Sequence, residues 1–157
     1  MQKIKEKFDA DTEHNIGVYY TRLTDCDVAF ADRIGLANEL DANFFISVHI
    51  NALPNDTTTN GTGVMYNEKN PGGKHGSKVL SETLLKSCLE NLGSESKGLF
   101  YGSTIYILHH AEVPAALIEV GFISNERERN LMLTDDYQYK LAQGVYEGAL
   151  QAIADGY

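Results

Sequence analysis

At 157 residues, 43% hydrophobic and 22% charged, the chain has the length and make-up of one globular domain with a real core. A net charge of −9 argues against nucleic acid as a partner, since phosphate binding needs a basic surface, and against attraction to anionic lipid or wall polymers through charge alone. No apolar run approaches the ~20 residues of a membrane span, and the polar opening Met1-Gln2-Lys3-Ile4-Lys5-Glu6-Lys7 is not a signal peptide.

Met1, Ile4 and Phe8 recur at helical spacing, so the chain opens inside a helix. Two turns at a free terminus are weak alone, and the expectation is that preceding sequence is absent. Residues 17–21 (GVYYT) read as a strand, and residues 28–40 as a helix with Phe30, Ile34, Ala37 and Leu40 on one stripe. Asp25 or Asp27 is placed to cap that helix. Residues 43–50 (NFFISVHI) form a near-continuous apolar run, the pattern of a strand buried on both faces of a parallel sheet. A polar loop, a strand at residues 61–66 and a turn at Pro71-Gly72-Gly73 follow. Leu80, Leu84, Leu85, Cys88 and Leu92 mark a helix over residues 78–92 that Gly93 ends. Residues 104–108 and 115–120 read as strands, and residues 137–154 as the closing helix. Strands alternating with helices predict a single α/β domain, a mostly parallel twisted sheet flanked by helices.

Two polar side chains stand near the carboxyl ends of apolar strands, where open α/β sheets bind ligands: His49 and Glu119. A neutral imidazole is a common zinc ligand, and a nearby carboxylate serves as general base toward water. A hydrogen-bonded core histidine and a glutamate paired with an arginine fit those two residues as well. Cys26 and Cys88 are too few for a disulfide framework and read as idle thiols. His109-His110 on a strand would point to opposite faces and so not share a metal. His14, Glu6 and Glu13 read as turn and helix residues, and His75 as a loop residue. Residues 126–129 (ERER) read as a solvated charge run. Arg22 and Arg33 read as bridging carboxylates or capping carbonyls, and Asn51 and Asn125 as loop-shaping.

The wording around these residues is similar to one family. Thr21-Arg22 with Asp25, Arg33 with Ala37-Asn38, and Ser47-Val48-His49-Ile50-Asn51 resemble the middle of the zinc-dependent N-acetylmuramoyl-L-alanine amidases. Pro114-Ala115-Ala116-Leu117-Ile118-Glu119-Val120-Gly121-Phe122-Ile123-Ser124-Asn125 resembles a second block of that family, and Tyr106-Ile107-Leu108 its substrate-cleft strand. The resemblance implies a peptidoglycan hydrolase that uses zinc-activated water to cut the amide between N-acetylmuramic acid and the L-Ala of the stem peptide. It implies His49 as a zinc ligand, Glu119 as the catalytic carboxylate, muramyl peptides as partners, and action outside the cell, in the wall or periplasm. The family's other two ligands belong to an initial strand and the next helix, and no residues here match them. The expectation is therefore an amidase-like domain over residues 1–157 without its N-terminal strand and metal-ligand segment, the remaining Zn2+ ligands lying upstream of Met1. A catalytically inactive amidase-like module that binds peptidoglycan is the alternative. Host autolysin, sporulation enzyme and phage lysin are equally compatible, and oligomeric state is left open.

Overall fold

In the computed structural model, which describes residues 1–69 and 74–157, the chain runs α1 (Gln2–Ala10), α2 (Phe30–Glu39), β1 (Phe45–Asn51), β2 (Thr62–Tyr66) and α3 (Ser77–Leu92). It continues through β3 (Ser96–Tyr101), α4 (Tyr106–His109), β4 (Ala115–Phe122), α5 (Glu126–Met132) and α6 (Asp135–Ala154). The strands form one sheet in the order β1-β4-β2-β3; β1–β4 and β2–β3 are parallel, and β2–β4 is antiparallel. The predicted α/β class and mostly parallel sheet hold. The expected turn at residues 71–73 lies outside the described residues.

The sheet separates two apolar layers because side chains alternate along each strand. Val64, Ala116, Ile118 and Val120 pack with α1, α3 and α6 on one face, joined at the rim by Ile46 and Val48. Ala115 and Leu117 pack with α2 and α4 on the other, beside Phe45 and Met65. Every residue of β4 but Glu119 is buried, which explains its apolar wording. β1 is an edge strand and only half-buried, not covered on both faces as its apolar run suggested.

Several local expectations change. Residues 17–21 form no strand. Their neighbourhood alternates as a strand does, with Ile16, Val18 and Tyr20 turned inward and Gly17 and Tyr19 exposed, yet no ladder partner among the described residues adjoins them. They face β1 across a groove of about 470 Å3, lined by Val18 and Tyr20 on one side and Phe44, Ile46 and Val48 on the other. Residues 106–109 are helical rather than extended, the turn closing through His109 N–H to the Ile105 carbonyl at 2.8 Å. β3 carried no sequence signal because it is an exposed edge. Neither Asp25 nor Asp27 caps α2, whose N-cap is Ala29. Gly93 does stop α3, at φ 62°.

Glycines let α6 pack closely on α3. A Cβ at Gly144 of α6 would lie 2.8 Å from Cys88 Cα of α3, and Ser87 Oγ donates to the Gly144 carbonyl at 2.9 Å. The buried Cys88 thiol is pushed up to about 12 by that burial, which makes it inert. Gly144→Ala is expected to cost about 1–3 kcal/mol by overpacking. Gly35→Ala, with nothing within 4 Å of the added carbon, is expected to gain about 0.5–1 kcal/mol from helix propensity. Urea melts of the two variants check the contrast; equal effects would contradict the packing described.

Candidate active site

β1 and β4 pair in register from Phe45↔Ala115 to His49↔Glu119, so His49 and Glu119 occupy one rung. Phe45, Ala115 and Leu117 face α2 and α4, and the two-residue period turns His49 and Glu119 to the same face. Immediately past this rung the pairing slips, Asn51 opposing Phe122, so β4 carries an extra residue at Val120–Gly121. The two side chains that sequence reasoning singled out are thus neighbours at the carboxyl end of β1.

Both are half-buried, and burial acts on them in opposite senses. His49 is held below its usual 6.5, first by desolvation and then by the positive charges of Arg33 and Arg22. It is therefore neutral at pH 7, and its Nε2 lies 2.9 Å from Ser47 Oγ. Desolvation raises the Glu119 carboxyl above its usual 4.5, and its Oε2 is enclosed with no hydrogen-bond partner among the described residues. An enclosed carboxylate oxygen without a donor binds a proton more readily than a solvated one. That is the property a general base working near neutrality needs.

The surroundings are built by backbone contacts. Arg22 donates from Nη1 to the Cys26 carbonyl at 3.0 Å, and Arg33 from Nε to the Val28 carbonyl at 2.8 Å. Both arginines therefore cap carbonyls of the loop before α2 while their charges reach His49. Asn51 Oδ1 accepts from Ala52 N–H, and Asn125 Oδ1 caps α5 through Glu128 N–H while its amide donates to Thr58 O. A cavity of about 700 Å3 opens beyond β1, lined by His49, Arg22, Asp25 and Tyr137. It meets the groove beside β1 at Met1, Ile4 and Val48.

The remaining histidines stand elsewhere. His109 ends α4 and His110 is its C-cap; both are exposed, their ring centroids 4.9 Å apart, and they are not strand residues as expected. His14 is held by Asp11, and His75 packs edge-on against Tyr157. Glu6 and Glu13 are exposed, as is Cys26. A catalytic zinc takes three protein ligands. Among the described residues no three His, Cys, Asp or Glu side chains gather to hold a metal, so His49 and Glu119 do not by themselves fit a zinc site.

One buried acid escaped the sequence reading. Glu128 is 7% exposed, not part of a solvated run. Its Oε1 accepts the Gly61 N–H at 2.8 Å and its Oε2 the Phe122 N–H at 2.7 Å. The spacing Asn125-x-x-Glu128 before Leu131-Met132 was a usable signal of a helix start, though not of this tie.

Because folding raises the Glu119 pKa, its contribution to stability is fully present below about 4.5 and is lost as pH rises through the folded value. Glu119→Gln is therefore expected to raise the melting temperature at pH 7, on the order of 2 °C, with the gain vanishing toward pH 4. Thermal melts across that range check it; a gain that persists at low pH would contradict a desolvated carboxylate.

A model of the N-acetylmuramoyl-L-alanine amidase family matches residues 1–151. A germination-specific N-acetylmuramoyl-L-alanine amidase of Bacillus subtilis is 34% identical over 119 residues, 76% of this chain and 48% of that protein. An endolysin of a Bacillus phage is 27% identical over 95% of this chain and 54% of its own length. The chain thus spans about half the length of these relatives. An N-acetylmuramoyl-L-alanine amidase from Clostridium difficile superposes with a TM-score of 0.89 at 28% identity, covering 99% of this chain and 81% of that one. The catalytic domain of CwlV, an N-acetylmuramoyl-L-alanine amidase from Bacillus (Paenibacillus) polymyxa, gives 0.87 at 26%, covering 98% and 80%. The fold and the family match together assign the chain: it belongs to the N-acetylmuramoyl-L-alanine amidase family.

Proposed function

We propose that the chain carries the acid–base part of a peptidoglycan amidase site, acting on the amide between N-acetylmuramic acid and the L-Ala of the stem peptide. The observation that supports this reading most is the shared rung of His49 and Glu119, with Glu119 Oε2 enclosed and without a hydrogen-bond partner among the described residues. Glu119, its basicity raised by burial, takes a proton from the water that adds to the amide carbonyl. It returns that proton to the departing nitrogen as the C–N bond breaks, leaving a lactyl carboxylate and a free alanine amine. Neutral His49 stands beside it, kept unprotonated first by desolvation and then by the charges of Arg33 and Arg22.

The zinc that the family resemblance implies enters only as part of this proposal. His49 would give one ligand, and the described residues gather no further ligands beside it. The free edge of β1, the groove beside it and the adjoining cavity are where a further strand and further ligands would stand. Action at the cell wall follows on the same reading. No helix among the described residues is long and apolar enough to cross a membrane. The absence of a three-ligand cluster in the described residues favours a second reading, a module that grips muramyl peptides without cutting them.

Incubation with purified cell walls, with and without added zinc, separates these readings. Cleavage as proposed exposes new amino-terminal alanine without new reducing sugar, and Glu119→Gln lowers that release by about 10²–10⁴-fold. Co-sedimentation with walls but no alanine release supports the binding module. New reducing ends would contradict amide cleavage. Elemental analysis after dialysis against a mild chelator is expected to find less than one zinc per chain; a full equivalent would reveal ligands beyond His49.

A further inference from the structure

The site residues rest on a strand whose end is irregular, and one buried group holds that irregularity. Gly121 has φ 154°, a region that side chains avoid, and a Cβ there would lie 2.5 Å from Met132 Cε and 3.1 Å from Glu128 Oε2. The next N–H, of Phe122, is the one that Glu128 Oε2 accepts, and Glu128 Oε1 takes the N–H of Gly61, just before β2. β2 in turn pairs Gly63 with Glu119. A single carboxylate thus clamps the bulged end of β4 to the start of its neighbour, three residues past Glu119. Bulges beside active sites re-aim side chains, and a bulge with two charge-assisted bonds on one anchor has little freedom to relax. Tyr137 Oη adds a bond to the Val120 carbonyl at 2.5 Å, which fixes the residue between.

We infer that Glu128 is a positioning residue for the amidase reaction: by bonding Gly61 and Phe122 it holds the β4 bulge that aims the Glu119 carboxylate toward His49. The inference rests on the proposed role of Glu119 and acts entirely through it. Glu128 touches no substrate and exchanges no proton with it. In Glu128→Gln an amide N–H2 confronts one of the two backbone N–H groups, so one anchor bond must break while size is kept.

Two measurements test this. Turnover of a soluble muropeptide, followed as released alanine amine, is compared in wild type, Glu128→Gln, Glu119→Gln and the double variant. Glu128→Gln is expected to lower kcat roughly a hundredfold, with KM changed by less than about threefold. In the Glu119→Gln background the same substitution is expected to cost almost nothing, because the group it aims is gone. An equal loss in both backgrounds, or no loss in wild type, overturns the inference. Amide hydrogen exchange supplies a readout that needs no activity. It is expected to quicken at least tenfold in Glu128→Gln at Gly61 and Phe122, while amides of α3 and α6 keep their protection. If wild type releases no alanine, the proposed function fails on that result alone. The exchange comparison then decides whether Glu128 holds the bulge, unchanged exchange at Gly61 and Phe122 overturning it.

Discussion

A carboxylate oxygen enclosed without a hydrogen-bond donor is costly for a fold to carry, and Glu119 Oε2 is in that condition among the described residues. Its strand is buried along its whole length apart from this residue. The ladder with β1 fixes its neighbour as His49, and the ladder with β2 closes its other side at Gly63. Half-buried between these two ladders, the carboxyl is partly desolvated and its pKa rises. The other features of the site answer to this constraint. The imidazole beside it stays neutral first because it is desolvated and then because the charges of Arg33 and Arg22, anchored on carbonyls, reach it. The bulge beyond it is pinned by a buried acid rather than left to solvent.

The rest of the molecule keeps that strand in place. Ala115 N–H, at the start of β4, is bonded by Ser77 Oγ of α3, and Val120 O, near its end, accepts from Tyr137 Oη of α6. α3 and α6 are locked together through Gly144 and Gly148, whose missing side chains let the two backbones approach. Both ends of β4 are therefore tied to one rigid helix pair, which is how a pocket at the sheet's edge acquires a fixed floor. The β1 side is looser: its outer edge has no ladder among the described residues, and a groove separates it from residues 17–21.

What the sequence made legible follows from which interactions are local. β4 could be read because burial on both faces leaves an apolar run, and α3 because its stripe ends on a left-handed glycine. His49 and Glu119 could be read because polar groups interrupt such runs. Residues 17–21 have the alternation of a strand, but a ladder is a tertiary fact that alternation cannot supply. Residues 104–108 are β-branched and aromatic enough to suggest a strand, yet a tight turn packing Ile107 and Leu108 into the core prevails. Glu128 was hidden for the same reason as the missing ladder: one of its bonds closes across 67 residues. The family wording located the site; only the register brought its two residues to one rung.

The site depends on the desolvation of Glu119, and a carbon-13 titration of that side-chain carboxyl, assigned against Glu119→Gln, measures it directly. The midpoint is predicted to lie above the ordinary 4.5. A midpoint at or below that value would mean a solvated or paired carboxylate, and would contradict its reading as an enclosed base.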